Sequence, residues 1–112
     1  MDVLVNALTG RLLDYFVANT LGIDTVNGVP EYHKEWALTG PLVEAFNISI
    51  ISSKSGAYCC YGFLGIGDHH YVDVYPDQDC NVFGDDPITT ICRAVVASKH
   101  GETVTIPHNM IP

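Results

Sequence analysis

The hydrophobic period of this chain switches twice, and the switch restricts what it can fold into. Before Asn47 the apolar residues recur at helical spacing in two segments, from Asn47 to Tyr75 they are strand-like, and after Asp86 the helical spacing returns. Thr9 is placed to cap a first helix over about Gly10 to Thr20, with Gly22 to end it and Leu12, Leu13, Phe16, Val17 and Thr20 on one stripe. Residues 23–38 hold Asn27-Gly28 and Pro30 and read as a long turn-rich connection, carrying Tyr32 and the single tryptophan, Trp36. Thr39-Gly40-Pro41 reads as a second helix start, with Pro41 in the first turn, and that helix runs to Phe46. Asn47 to Ser52 and Ala57 to Leu64 are strand-like, split by the hairpin signal Ser53-Lys54-Ser55-Gly56, and His70 to Tyr75 alternates as a third strand. Pro76 to Asp86 reads as an acidic loop. Asp86 then caps the clearest helix, with Pro87 first, Ile88, Ile91, Cys92, Val95 and Val96 on its apolar stripe, Lys99 and His100 in its last turn, and Gly101 to stop it. The alternation of Val104 and Ile106 in the tail Glu102 to Pro107 leaves room for a fourth strand. The expected fold is α+β: a three-stranded antiparallel sheet packed with three helices, in the order α-α-β-β-β-α, as one domain over residues 1–112.

Composition narrows the partners. The 112 residues are 47% hydrophobic and 16% charged, which suits a packed globule. Thirteen acidic residues against five basic ones give a net charge of −8, and Arg11, Lys34, Lys54, Arg93 and Lys99 are scattered along the chain. Phosphate neutralisation by clustered cations supplies most nucleic-acid affinity, so direct binding of DNA or RNA is not expected. No window reaches the ~20 apolar residues of a membrane span, and the first residues lack the basic and apolar segments of a secretory signal. A cytoplasmic protein is expected, with Cys59, Cys60, Cys80 and Cys92 as free and mostly buried thiols.

No motif commits the chain to catalysis, a metal or a cofactor. Asp68-His69-His70…Asp73 is the most metal-like cluster, but adjacent histidines on a strand point to opposite faces. Asp77-Gln78-Asp79-Cys80-Asn81 opens like a calcium loop, yet Val82 and Ile88 stand where glycine and glutamate are required. Cys92 falls on an apolar stripe, Cys60 has nothing local to activate it, and neither a Gly-x-Ser-x-Gly elbow nor a phosphate-binding glycine loop is present. Thr89 and Thr90 lie in the first turn of the last helix, where free N–H groups attract anions, but Asp85 and Asp86 already occupy that end. Arg93, one turn further on, reads equally as a ligand contact and as an ion pair to the acidic loop. Trp36 and Tyr32 could offer an aromatic platform, against the commoner fate of core packing.

Three blocks carry a resemblance. They are Leu8-Thr9-Gly10-Arg11-x-Leu13-Asp14-Tyr15, then Trp36-Ala37…Gly40-Pro41-Leu42-Val43-Glu44, then Pro87-Ile88…Arg93-Ala94-Val95-Val96-Ala97-Ser98-Lys99-x-Gly101-Glu102…Val104-x-Ile106-Pro107. Together they cover about half the chain and resemble the NinX-like family of small tailed-phage proteins of unknown function, related to the phage α-β-α sandwich domain. The middle, Asn47 to Asp86, departs from that pattern. The resemblance implies a phage accessory protein with helices flanking an antiparallel sheet, and it brings no catalytic residues.

The resulting expectation is a non-enzymatic phage accessory protein of the host cytoplasm. It would counteract host defence by binding a small nucleotide-type signal, with Trp36, Tyr32, Thr89, Thr90 and Arg93 as the ligand-binding residues, in a pocket at the interface of a homo-oligomer. The alternative is an acidic protein-binding inhibitor that presents a carboxylate, nucleic-acid-like surface to a host defence protein, since a field of that sign steers basic partners.

Overall fold

The computed structural model describes residues 2–46, 48–52, 58–61, 82–101 and 103–107. Within them the elements run β1 (Asp2–Leu4), a 3₁₀ turn (Val5–Ala7), α1 (Gly10–Leu21), α2 (Trp36–Ala45), β2 (Ser49–Ser52), β3 (Tyr58–Tyr61), β4 (Val82–Gly84), α3 (Pro87–His100) and β5 (Thr103–Thr105). This overturns the expected order α-α-β-β-β-α and the single sheet packed with three helices. The strands form two sheets: β1 pairs antiparallel with β5, and β2, β3 and β4 pair in that order. The strand expected over His70 to Tyr75 lies outside the described residues. The strand that joins β3 is Val82–Gly84, inside the segment read as an acidic loop, with Cys60 opposite Val82 and Tyr58 opposite Gly84.

Helix α3 is the centre. Thr90 through Val96 are all buried, because the helix packs against α1 and α2 as well as β3 and β4. Its start is fixed locally: Asp86 Oδ1 accepts from the Thr89 N–H (2.8 Å), Oδ2 accepts from the Thr89 hydroxyl (2.9 Å), and Pro87 fills the first position. Asp86→Ala is expected to cost about 1 kcal/mol in chemical denaturation, the usual worth of an N-cap. Helix α1 buries Leu13, Phe16, Val17 and Thr20 against it. It ends in a left-handed Gly22 (φ 72°), with Ile23 N–H donating to Ala18 and Gly22 N–H to Asn19, the paired bonds that close a helix terminus. The Thr9 hydroxyl, expected to cap α1, makes no capping bond.

Helix α2 starts five residues earlier than Pro41, at Trp36. Proline therefore sits inside it, where its missing N–H leaves the carbonyl of Ala37, four residues back, without the usual donor. Tertiary contact offsets that loss. Thr39 is fully buried against α3, and its hydroxyl donates to the Tyr32 carbonyl (2.5 Å), tying the first turn of α2 to the chain before it.

The α3 terminus carries a half-buried imidazole. His100 packs edge-on against Phe16 (centroids 5.8 Å apart), and its Nε2 is buried without a hydrogen-bond partner among the described residues. Burial, with Lys99 adding to it, lowers its pKa below the ordinary histidine value. The unfolded chain then binds the extra proton first as the pH falls below about 6.5, so this contribution to stability is present above that value and is lost on acidification. His100→Leu is expected to flatten the fall in stability between about pH 6.5 and 5 relative to the natural protein, measured by urea unfolding across that range.

Candidate functional site

The polar interior of the described residues gathers at two places, and the five sequence-predicted ligand residues divide between them. The first is the connection from α1 to α2. It leaves α1 at Gly22, turns through Asp24, whose Oδ1 accepts from the Val26 N–H (2.9 Å), and through a Thr25–Gly28 turn. It then runs back beside α1 to Asp14, about 10 Å before the helix end. Asp14 is 1% exposed and lies three residues before Val17, on the edge of the buried stripe. A carboxylate at such a position must find donors, and His33 supplies two. Its backbone N–H donates to Oδ1 (2.8 Å), and its ring Nδ1 lies 2.5 Å from Oδ2.

The next residues extend the anchor inward. The buried Tyr32 gives its carbonyl to Thr39, and the Thr39 hydroxyl lies 4.0 Å from Cys92 Sγ on α3. Burial raises the Tyr32 pKa, with Asp14 and then Cys92 adding to it. Burial likewise pushes the Cys92 thiol up to about 12, reinforced by Asp14 and Asp86 and only partly opposed by the Thr39 hydrogen bond. Burial of this kind disfavours the thiolate that a nucleophilic cysteine needs. Outward, the segment ends at Trp36, which is 53% exposed at the start of α2.

The second place is the start of α3. Arg93, expected either to meet a ligand or to pair at the surface, is 7% exposed and donates from Nε to the Leu8 carbonyl (3.0 Å), bridging α3 to the end of the 3₁₀ turn ahead of α1. Burial lowers its pKa, and Asp85 and Asp86 oppose that shift. The Thr90 hydroxyl donates to the Asp86 carbonyl (2.7 Å), and Thr89 is held by the Asp86 side chain. Arg93, Thr89 and Thr90 thus come together with one another, but all three are joined to the protein itself and are distinct from the connection that carries Tyr32 and Trp36. Among the described residues no group of three or more His, Cys, Asp or Glu side chains is placed to hold a metal. The Asp68–Asp73 turn and the Asp77–Asn81 loop lie outside them. No described helix is long and apolar enough to cross a membrane.

Asp14, His33 and Thr39 are the site residues that sequence reasoning missed. One signal was available: an aspartate on the apolar stripe of α1, which implies a buried partner without naming it. No family model matches the chain, and no curated protein does.

Proposed function

We propose that the protein is an accessory protein of a tailed phage that acts in the host cytoplasm as an acidic, non-enzymatic, protein-binding inhibitor of a host defence protein. The observation that carries this reading is the sorting of charge. Among the described residues seven carboxylates are exposed, those of Asp2, Asp24, Glu31, Glu35, Glu44, Asp85 and Asp86, against three exposed cations, Arg11, Lys34 and Lys99. Arg93 is buried, and Lys34 is matched by Glu31 at 3.1 Å. A surface of that sign repels phosphates and attracts basic proteins at long range. The test is association with purified basic, nucleic-acid-handling proteins of the host. One of them should bind with an on-rate that falls roughly tenfold as salt is raised through the physiological range. Binding indifferent to salt, or confined to acidic proteins, would contradict the reading.

The exposed indole of Trp36 favours a second reading, the trapping of a small nucleotide-type signal by stacking on that ring. Because Trp36 is the single tryptophan, cyclic and ADP-ribose-type nucleotides that stack there should quench the intrinsic fluorescence. At a hundred times its dissociation constant such a ligand should add about 2.7 kcal/mol of stability. Quenching without any protein partner would select this reading over the first.

A further inference from the structure

We propose that the α1–α2 connection is the docking element, and that it takes a basic amphipathic protein segment whose apolar side meets Val26 and Trp36. The inference rests on the protein-binding reading above and assigns the surface and the partner's chemistry. Four large hydrophobic residues are exposed among the described ones, and three of them belong to this stretch: Val26 at 85%, Trp36 at 53% and Ile23 at 45%. Three of the four concentrated on one connection single it out among the described residues, since interaction surfaces combine exposed apolar groups with polar neighbours. The same stretch is acidic. Asp24, Glu31 and Glu35 are exposed on the same stretch, and its one lysine, Lys34, is already matched by Glu31.

The stretch is also held in shape before any partner arrives. Asp14 grips His33 at two atoms, Thr39 grips the Tyr32 carbonyl, and Asp24 closes the turn that lifts Val26 into solvent. Preorganisation of this kind reduces the ordering cost of association. The acidic residues of the stretch select a basic partner, and the exposed Val26 and Trp36 require that it also have an apolar face. A purely cationic polymer meets the first demand alone.

The probe is a Lys/Leu amphipathic helical peptide of about four turns, titrated into the full chain and followed by amide chemical shifts and Trp36 fluorescence. Shifts are expected at residues 23–36 with a blue-shifted indole emission. Val26→Asp and Trp36→Ala should each weaken binding at least about tenfold, both variants being checked for unchanged folding by circular dichroism. An all-lysine peptide should bind more weakly than the Lys/Leu peptide. Shifts centred on Asp85 and Asp86, or equal binding of the all-lysine peptide, overturn the inference and leave the acidic-inhibitor reading standing. No binding of either peptide overturns both. Concentration-dependent self-association through the same residues, read by light scattering, replaces the basic partner with a second copy of this chain and also overturns it.

Discussion

His33→Ala is expected to destabilise the protein by about 3 kcal/mol, and by more than Asp14→Ala does. The asymmetry follows from what each change leaves behind. Removing the imidazole leaves the Asp14 carboxylate, 1% exposed, with the backbone N–H of residue 33 as its one remaining donor among the described residues. A buried charge deprived of its partner costs about 3–5 kcal/mol, and the surviving hydrogen bond puts this case at the lower end. Removing the aspartate instead takes the charge away, together with its desolvation penalty. It leaves an imidazole whose side chain is 19% exposed and reaches water, so about 2 kcal/mol is expected from the lost bonds. The double variant should then be more stable than His33→Ala alone, because the stranded carboxylate is gone. Urea unfolding of the four proteins closes the cycle. If His33→Ala proves no worse than Asp14→Ala, the carboxylate is solvated and the pair is not an anchor. The same measurement bears on the docking surface, since a connection released from Asp14 would present Val26 and Trp36 on a floppier segment.

How much of this was legible in the sequence depends on the range of the interactions involved. Helix α3 was legible because its signals are local: Asp86 and Pro87 at one end, Lys99, His100 and Gly101 at the other, with the helix observed over Pro87–His100. Helix α1 and its Gly22 terminus were legible for the same reason. Helix α2 was misplaced at its start. Pro41 is a strong first-turn signal, but the contact of Thr39 with Tyr32 and α3 extends the helix back to Trp36 and carries the proline into its interior. The β1–β5 pairing had no local signature at all, since three residues at one end of the chain meet three near the other, Val3 opposite Val104. The burial of Arg93 was hidden for a different reason. An amphipathic helix leaves a polar side to solvent, whereas α3 is surrounded, so a cation adjacent to Cys92 is buried and turned to the Leu8 carbonyl. Of the candidate site, only Trp36 and Tyr32 stood out in the sequence. The clamp that holds them depends on a pairing nineteen residues apart, and an aspartate on an apolar stripe announces a need for a partner without its identity.

Gly84→Ala is expected to cost about 2–3 kcal/mol, against the sign normally found for this exchange. In a strand interior alanine usually improves on glycine by roughly 0.5–1 kcal/mol, because glycine loses more chain entropy on folding. At Gly84 the added methyl would lie 2.6 Å from Thr90 Oγ1, 3.2 Å from Arg93 Nη1 and 3.4 Å from the Thr90 backbone nitrogen. None of these neighbours is free to retreat. The Thr90 hydroxyl is bonded to the Asp86 carbonyl, a β-branched side chain has few rotamers in a helix, and the guanidinium is held through Nε to Leu8. The methyl therefore separates β4 from α3 or breaks one of those bonds, and overpacking of that kind costs about 1–3 kcal/mol on top of the entropy it recovers. The cause can be isolated by repeating the exchange in a Thr90→Ala background, which deletes the closest atom. There the penalty should fall to about 1 kcal/mol, with only the guanidinium contact left to relieve. An undiminished penalty in that background would place the strain in the β4 backbone, whereas relief would show that a single hydroxyl sets the distance at which the central helix can approach the sheet.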